Sequence, residues 1–483
     1  MTTLHQKTTS AAKWSAVDVF MRQGVQFVVS VVLARILAPE DFGVIAMLAM
    51  FIGVAGIFID SGFSSALIQR QNTTLTDEST VFFFNLGMGT VTALLLCGAA
   101  PWIAAFFKQP VLQYLTYAMA FNLLVGAFGS IHATLLSKEL NFKTLAKVGI
   151  VSSVVAGVVA VYMASQGYGV WSLAGNSVVS GILTVLLLWI WHPWRPAWIF
   201  SRTSLTSFFR FGGYQMAATL TDVFSTNLYL IMIGKLYSAR ELGFYSRAQN
   251  TQQMPITLMM GIINRVAFST FATVKEDKAR LVRGLRQAQA VSMMVNTPIM
   301  LAVIILAEPL VLTLFGTQWL PCVPMLQVLG LGGLLWPLHV LNLNILMAQG
   351  RSDIFFRLTM AKKVFTISLT VAASFYGVMA IAWMQTVISA LAYFANTHYT
   401  KVLLGYSGWK QLRDLAVIFV GVIPMAFAVY FANEMMQTSP FIKLIVASIM
   451  GGTIYWLTCR LLCEGLLNQC LSLVGMRKRP VEI

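Results

Sequence analysis

The chain has 483 residues, is 58% hydrophobic and only 10% charged, and carries a formal net charge of +16. Soluble domains hold about a quarter charged residues, so the composition excludes an ordinary soluble protein. The apolar residues form continuous runs of about 20, each long enough as a helix to cross ~30 Å of hydrocarbon, and their lack of alternation excludes a β-barrel.

Fourteen such spans are predicted, at 13–36, 43–68, 81–106, 112–136, 146–165, 169–191, 207–234, 249–271, 288–315, 322–348, 357–376, 379–400, 414–432 and 441–463. The first is read as a span and not a signal, because its apolar core is too long and no small-residue cleavage site follows. It carries Asp18 and Arg22, four residues apart and so on one helix face. Arg22 is about nine residues into the span, roughly 14 Å deep at 1.5 Å per residue. Charges at that depth face protein or a water-filled cavity.

Further along, the second span ends in "FIDSGFSS" with Asp60, the seventh carries Asp222 among Thr219, Thr221, Ser225, Thr226 and Asn227, and the eighth carries Arg265. The intramembrane charges thus gather in spans one, two, seven and eight. Two readings fit them. They are ion pairs that lock helices together, or they line a polar cavity in which Arg22 and Arg265 meet an anion. Arginine suits phosphate because its planar fork bonds two oxygens at once. Asp18, Asp60 or Asp222 would then hold the arginines or take up a coupling ion, H+ or Na+. His339, Asn342 and Asn344 in the tenth span and His132 in the fourth are secondary candidates, with packing the simpler role for a lone histidine in a helix.

Between the halves, "WHPWRPAW" (191–198) reads as an interfacial anchor with a helix breaker. The segment 272–287 reads as an amphipathic helix on anionic headgroups. The five cysteines (97, 322, 459, 463 and 470) lack the partners of a metal site and are assigned to packing. No metal is expected.

An even number of spans puts both termini on one side. That side collects 25 of the 33 Lys and Arg, including Arg357, Lys362 and Lys363, and the other side collects 6. By the positive-inside rule both termini are cytoplasmic. The bias also accounts for the +16 without nucleic acid.

Two echoes suggest an internal repeat. "LARILAPEDFGVIA" (33–46) matches "IGKLYSARELGFYS" (233–246) at an offset of 200, pairing Gly43 with Gly243. "GYGVWSLA" (167–174) matches "FYGVMAIA" (375–382) at an offset of 208, each a tight Gly turn between spans. The expected architecture is an all-α integral membrane protein of about 14 transmembrane helices. Residues 1–191 form an N-terminal lobe of six helices, 192–206 a cytoplasmic linker, and 207–404 a C-terminal lobe of six related by pseudo-two-fold symmetry. Residues 405–483 add two helices and a basic cytoplasmic tail. Paired membrane repeats with a site between them are a transporter plan.

Several stretches carry a family resemblance: "TTSAAKWSA" (8–16), "DSGFSSALIQRQ" (60–71), "LSKELNFKTLAK" (136–147), "FRFGGYQMA" (209–217), "LGFYSRAQ" (242–249), "RVAFSTFATVKED" (265–277), "FGTQWLP" (315–321) and "LMAQGRSDI" (346–354). In this order the chain resembles the Wzx-type flippases, the polysaccharide transporters of the multidrug/oligosaccharidyl-lipid/polysaccharide superfamily, and among them the colanic acid exporter branch. The resemblance spans the chain to about residue 410. It implies fourteen helices, a cationic cavity lined by helices one, two, seven and eight, and movement of an undecaprenyl-diphosphate-linked oligosaccharide across the bacterial inner membrane for surface polysaccharide assembly. It makes Arg22 and Arg265 the counterparts of the cavity arginines, and polysaccharide polymerase machinery a candidate partner. Rival readings are a cation-coupled multidrug-type efflux pump and a membrane polymerase or ligase for the same lipid-linked sugars. The predicted outward connections are short and cluster no acid–base residues, which disfavours the enzyme.

Overall fold

The computed structural model describes residues 4–60, 62–70, 72–273, 277–462 and 464–467; the side chains of 4–13, 16, 60, 209–212, 214–215, 258–273 and 352 lie outside that description. The described chain is helical with no strand. It divides into two compact units, Met1–Gly243 and Phe244–Ile483.

The first unit holds α1 (Leu4–Ile36), α2 (Pro39–Asp60), the short α3 (Phe63–Gln69), α4 (Leu75–Phe107), α5 (Val111–Lys138), α6 (Phe142–Ser165), α7 (Val170–Trp191) and α8 (Arg202–Leu236). Here α1 lies on α6, α4 and α7 lie on α5, and α2 lies on α8. A helix α9 (Ala239–Thr273) starts at the end of this unit and continues into the second. There follow α10 (Lys278–Ile305), α11 (Ala307–Leu314), a 3-10 turn (Thr317–Cys322), α12 (Val323–Leu334), α13 (Trp336–Ala348), α14 (Ser352–Ala373), α15 (Val378–Leu404), α16 (Gly408–Met435) and α17 (Pro440–Leu462). In this unit α10 packs on α12, α13 and α16, α15 packs on α12, α13 and α14, and the last two helices pair with each other.

All fourteen predicted spans fall on helices. Among the described residues, twelve stretches are long and apolar enough to cross a membrane. The other two predicted spans lie on α9, where the span begins with polar Asn250, Thr251, Gln252 and Gln253, and on α14, which carries Arg357, Lys362 and Lys363. The helices turn large apolar residues outward, such as Trp102 at 77% exposure and Leu461 at 84%. In water that surface is costly; against lipid tails it is not.

Three predicted spans are interrupted. The second breaks after Asp60 where Gly62 takes a φ of 71°, a conformation open to glycine without strain. The ninth breaks at Leu306 and the tenth at Leu335, each just ahead of a proline, Pro309 and Pro337, near the start of the next helix. Proline is tolerated in a first turn and disfavours helix just before it.

Local signals start the other helices. Thr74 and Asp77 form a reciprocal capping box on α4, with Thr74 N donating to Asp77 Oδ2 at 3.0 Å and Asp77 N to Thr74 Oγ1 at 3.2 Å. Asn141, Ser201, Asp277 and Ser407 cap α6, α8, α10 and α16. The two echoes of the repeat recur as structure. Gly169 (φ 55°) and Gly377 (φ 111°) precede α7 and α15. Corners at residues 37–38 and 237–238 separate α1 from α2 and α8 from α9. The paired glycines meet: a Cβ on Gly43 would strike the Ala239 carbonyl, and one on Gly243 would strike the Pro39 carbonyl. No side chain larger than hydrogen fits this crossing.

Candidate functional site

Asp18 and Arg22 lie near the start of the apolar part of α1, Val17–Ile36. They form an ion pair one helical turn apart, as their spacing predicts. Their surroundings differ. The Asp18 side chain is 10% exposed and the Arg22 side chain 44%. Asp18 Oδ2 accepts from Arg22 Nη2, while Oδ1 is buried with no hydrogen-bond partner among the described residues. Asp18 is the buried anchor, and the guanidinium stays 44% exposed, with its bond to Asp18 its hydrogen bond among the described residues.

The seat of this pair is on α6. A Cβ added to Gly149 would lie 3.2 Å from both Arg22 Nε and Asp18 Oδ1. The same helix face buries Ser152, Ser153, Ala156, Gly157, Ala160 and Ala164. Small residues let two helix backbones approach closely within a membrane, and α1 lies along this stripe.

Asp222 is exposed on α8. The hydroxyls around it bond back to their own helix. Thr221 Oγ1 donates to Ala217 O at 2.8 Å, Ser225 Oγ to Thr221 O at 2.6 Å, and Thr226 Oγ1 to Asp222 O at 2.8 Å. Asn227 Nδ2 donates to Val223 O at 2.8 Å. These i to i−4 bonds satisfy the hydroxyls of a polar stripe within its own helix. Among the described residues, Arg22 pairs with Asp18 and not with Asp222. Asp60 ends α2 and Arg265 lies on α9; the side chains of both are outside the described residues.

The secondary candidates in the second unit are occupied by protein. His339 Nε2 is 3.0 Å from Ser389 Oγ. Asn342 is fully buried: its Nδ2 donates to Leu338 O at 2.8 Å and Gln411 Oε1 at 3.0 Å, and its Oδ1 accepts from Thr400 Oγ1 at 2.8 Å and Gln411 Nε2 at 3.0 Å. That fills every donor and acceptor of one amide. Gln289 Nε2 donates to the same Gln411 Oε1 at 2.8 Å. His132 is packed between Trp189 and Trp194, with ring centroids at 4.8 and 5.3 Å, an aromatic packing setting. Among the described residues no His, Cys, Asp and Glu group could hold a metal ion.

Sequence reasoning missed three features. Gly149 is one glycine among 35. Arg247, assigned to an outward connection, is buried on α9, with its guanidinium 4.8 Å from the Phe315 ring centre and 5.0 Å from that of Trp319. This stacking joins two of the quoted stretches, "LGFYSRAQ" and "FGTQWLP". Lys362, assigned to the cytoplasmic end of its span, reaches into the second unit and donates to Asn396 Oδ1 at 2.8 Å. Elsewhere two of the quoted stretches bond to residues just outside another: Lys138 Nζ donates to Thr73 Oγ1 at 2.5 Å, and Arg70 Nη1 to Ser207 Oγ at 3.3 Å.

The chain is similar to several known proteins over almost its whole length. It is 26% identical to the succinoglycan biosynthesis transport protein ExoT of Rhizobium meliloti (strain 1021), covering 99% of this chain and 97% of that protein. It is 27% identical to the lipopolysaccharide biosynthesis protein WzxC of Escherichia coli (strain K12), covering 88% of each. Among solved structures it matches the lipid II flippase MurJ in its inward closed conformation, with a TM-score of 0.77 at 13% identity, over 94% of this chain and 99% of that one. This places the chain in the MurJ-like all-helical fold, in keeping with the resemblance to Wzx-type proteins. A model of the polysaccharide biosynthesis protein family matches residues 32–324, well over half the chain, and the protein belongs to that family.

Proposed function

We propose that this protein moves a lipid-diphosphate-linked oligosaccharide, of the undecaprenyl class, across the bacterial inner membrane for surface polysaccharide assembly. The observation that carries this reading is the Asp18–Arg22 pair. A membrane helix holds a guanidinium by one buried carboxylate and leaves it nearly half exposed. Such a group binds phosphate oxygens with two parallel bonds. ExoT is named as a transport protein and MurJ as a lipid II flippase, which supports a lipid-linked cargo.

The chemistry requires a protein. A diphosphate with a hydrophilic glycan cannot cross hydrocarbon unaided. A carrier needs to shield only the headgroup, while the polyprenyl tail stays among lipid tails. Alternating access through a polar cavity does this. Arg22 and Arg265 are the anion contacts in this reading, with Asp18, Asp60 and Asp222 as holding or ion-coupling groups. The basic bias puts both termini in the cytoplasm. The role is transport and not bond chemistry, and a polymerase is the natural consumer of the delivered units.

The test is the sidedness of the lipid-linked oligosaccharide in cells lacking the protein, probed from outside with an impermeant glycan reagent. Build-up on the cytoplasmic leaflet, relieved by re-expression, is the expected result. Unpolymerised units reaching the outer leaflet without the protein would place its action after translocation.

A further inference from the structure

Lys362 is the eleventh of the 22 residues of α14. At 1.5 Å per residue its Cα is about 15 Å from either end of the helix. An ionisable group at that depth is costly unless it is paired or functional. The helices packed on α14 are α13 and α15, and neither contains a carboxylate. Their titratable groups are His339 on α13 and Tyr393, His398, Tyr399 and Lys401 on α15. Among the described residues Lys362 has no ion pair. Its partner is a neutral amide, Asn396 Oδ1, at 2.8 Å.

That amide is only half used. Asn396 is 1% exposed, and its Nδ2 is buried without a hydrogen-bond partner among the described residues. A charged lysine needs an acceptor, and a neutral lysine offers a lone pair that needs a donor. Asn396 supplies both, Oδ1 for the ammonium and, after the amide turns, Nδ2 for the amine. A partner that serves only to fasten α14 to α15 would not need a spare buried donor.

The surroundings limit the charge. His339 sits on the same α15 face, its Nε2 3.0 Å from the Oγ of Ser389, seven residues before Asn396. Ser389 Oγ itself donates to Gly332 O at 3.0 Å, so His339 Nε2 is the donor to Ser389. Neither His339 nor Ser389 brings a negative charge to Lys362. Tyr393 has its hydroxyl committed to Gly408 O at 2.9 Å.

We propose that Lys362 and Asn396 form a proton-carrying site within the second unit, where Lys362 gives its proton to water and regains it during each transport cycle. The N–H bond of the ammonium breaks, the proton goes to a water oxygen, and the amine keeps the electron pair. This rests on the transport reading above.

The test uses the full-length protein in proteoliposomes with a fluorescent polyprenyl-diphosphate glycan as probe. Flipping is read with and without an imposed gradient of one pH unit, worth about 1.36 kcal/mol or up to tenfold in rate. The wild type responds to the gradient. In Lys362→Met and in Asn396→Leu, which keeps the lysine, the ratio of the two rates falls to one whatever the absolute rate. A gradient response retained in both variants, or none in the wild type, overturns the site. In parallel, 15N NMR of lysine side chains follows protonation directly over the same pH interval, with protons as the only ligand. A signal that changes protonation state, altered in Asn396→Leu, supports the site; none that does so overturns it. If the wild type moves no probe, the transport reading falls and the NMR titration alone judges the site.

Discussion

Two polar clusters inside apolar helices look alike in sequence and differ once their partners are traced. In the first unit, Asp18 and Arg22 share one ion pair, with a carboxylate oxygen unpartnered and a guanidinium 44% exposed. In the second, Asn342, Gln411, Thr400 and Gln289 bond to one another, and all four are fully buried. The first cluster is charged and keeps capacity to bind something else. The second is neutral and Asn342 has none left. Polarity within a membrane helix therefore does not identify a ligand site; unspent donors beside an open face do. The amide cluster ties α10, α13, α15 and α16 together, so it is a lock.

The largest expected effect separates the two. Arg22→Ala removes the guanidinium and its bonds to a bound diphosphate. Charge-assisted bonds contribute about 1.5–3 kcal/mol each, so losing one or two should lower flipping about 100-fold. The protein should still fold, because α1 packs on α6 through the small residues of that face and not through the guanidinium. Arg22→Lys should retain part of the activity as a point charge without the fork. Wild-type flipping by Arg22→Ala in a probe-based assay would make the pair a lock like the amide cluster.

The converse substitution is Gln411→Leu. It strands Gln289 Nε2 and removes one of the two bonds from each of Asn342 Nδ2 and Oδ1, and a buried polar group left unpaired costs about 1–3 kcal/mol. Measured bonds between membrane helices are weaker, near 0.6 kcal/mol on average, so a net loss of about 2 kcal/mol is expected, seen as a lowered melting temperature. Flipping per folded molecule should stay at the wild-type value. A loss of flipping at unchanged stability would move the amide cluster into the transport machinery.

Gly149→Ala sharpens the comparison on the charged side. The new methyl would stand 3.2 Å from Arg22 Nε and from Asp18 Oδ1, tighter than ordinary van der Waals contact. The arginine can give way, so the guanidinium shifts and the helices stay together. A three- to tenfold drop in flipping is expected, about 1 kcal/mol. Gly24→Ala, where a Cβ meets nothing within 4 Å, is the matched control and should leave flipping unchanged. Equal effects at the two glycines would show a general cost of altering this helix pair.

Much of this fold was legible in the sequence because the membrane forces the pattern. Apolar runs marked where the long helices lie, twelve of them apolar enough to cross a membrane among the described residues, and the offset echoes at Gly43 and Gly243 marked a crossing where a Cβ has no room. The i, i+4 spacing placed Asp18 on Arg22. The rest depends on pairings distant in sequence. Gln289 and Gln411 are separated by 122 positions, and no local pattern joins them. Lys362 was assigned to the cytoplasmic end because lysine there is common; α14 starts early enough, at Ser352, to carry it to mid-helix. The helix breaks before Pro309 and Pro337 were in the sequence and were passed over because hydropathy alone is continuous across them.

The smallest effect lies where the neutral cluster meets charge. Gln411 Nε2 also lies 3.4 Å from Tyr406 O, in the connection between α15 and α16. The Tyr406 hydroxyl donates to Asp414 Oδ2 at 2.7 Å, and Arg286 Nε reaches the same oxygen at 2.8 Å. Burial first, and then the bond to Asp414, raise the Tyr406 phenol above its ordinary value. A group that holds its proton more tightly when folded contributes fully below its unfolded value, about 10 for tyrosine, and loses that contribution as pH rises further. Tyr406→Phe should therefore cost about 1 kcal/mol at neutral pH, below the usual range for a bond to a charged group because Arg286 still pairs with Asp414. The difference between variant and wild type should shrink only at alkaline pH. A difference that instead varied between pH 5 and 8 would assign the bond to another ionisation, and would mean that titrating charge extends into the cluster that here appears neutral from Gln289 to Thr400.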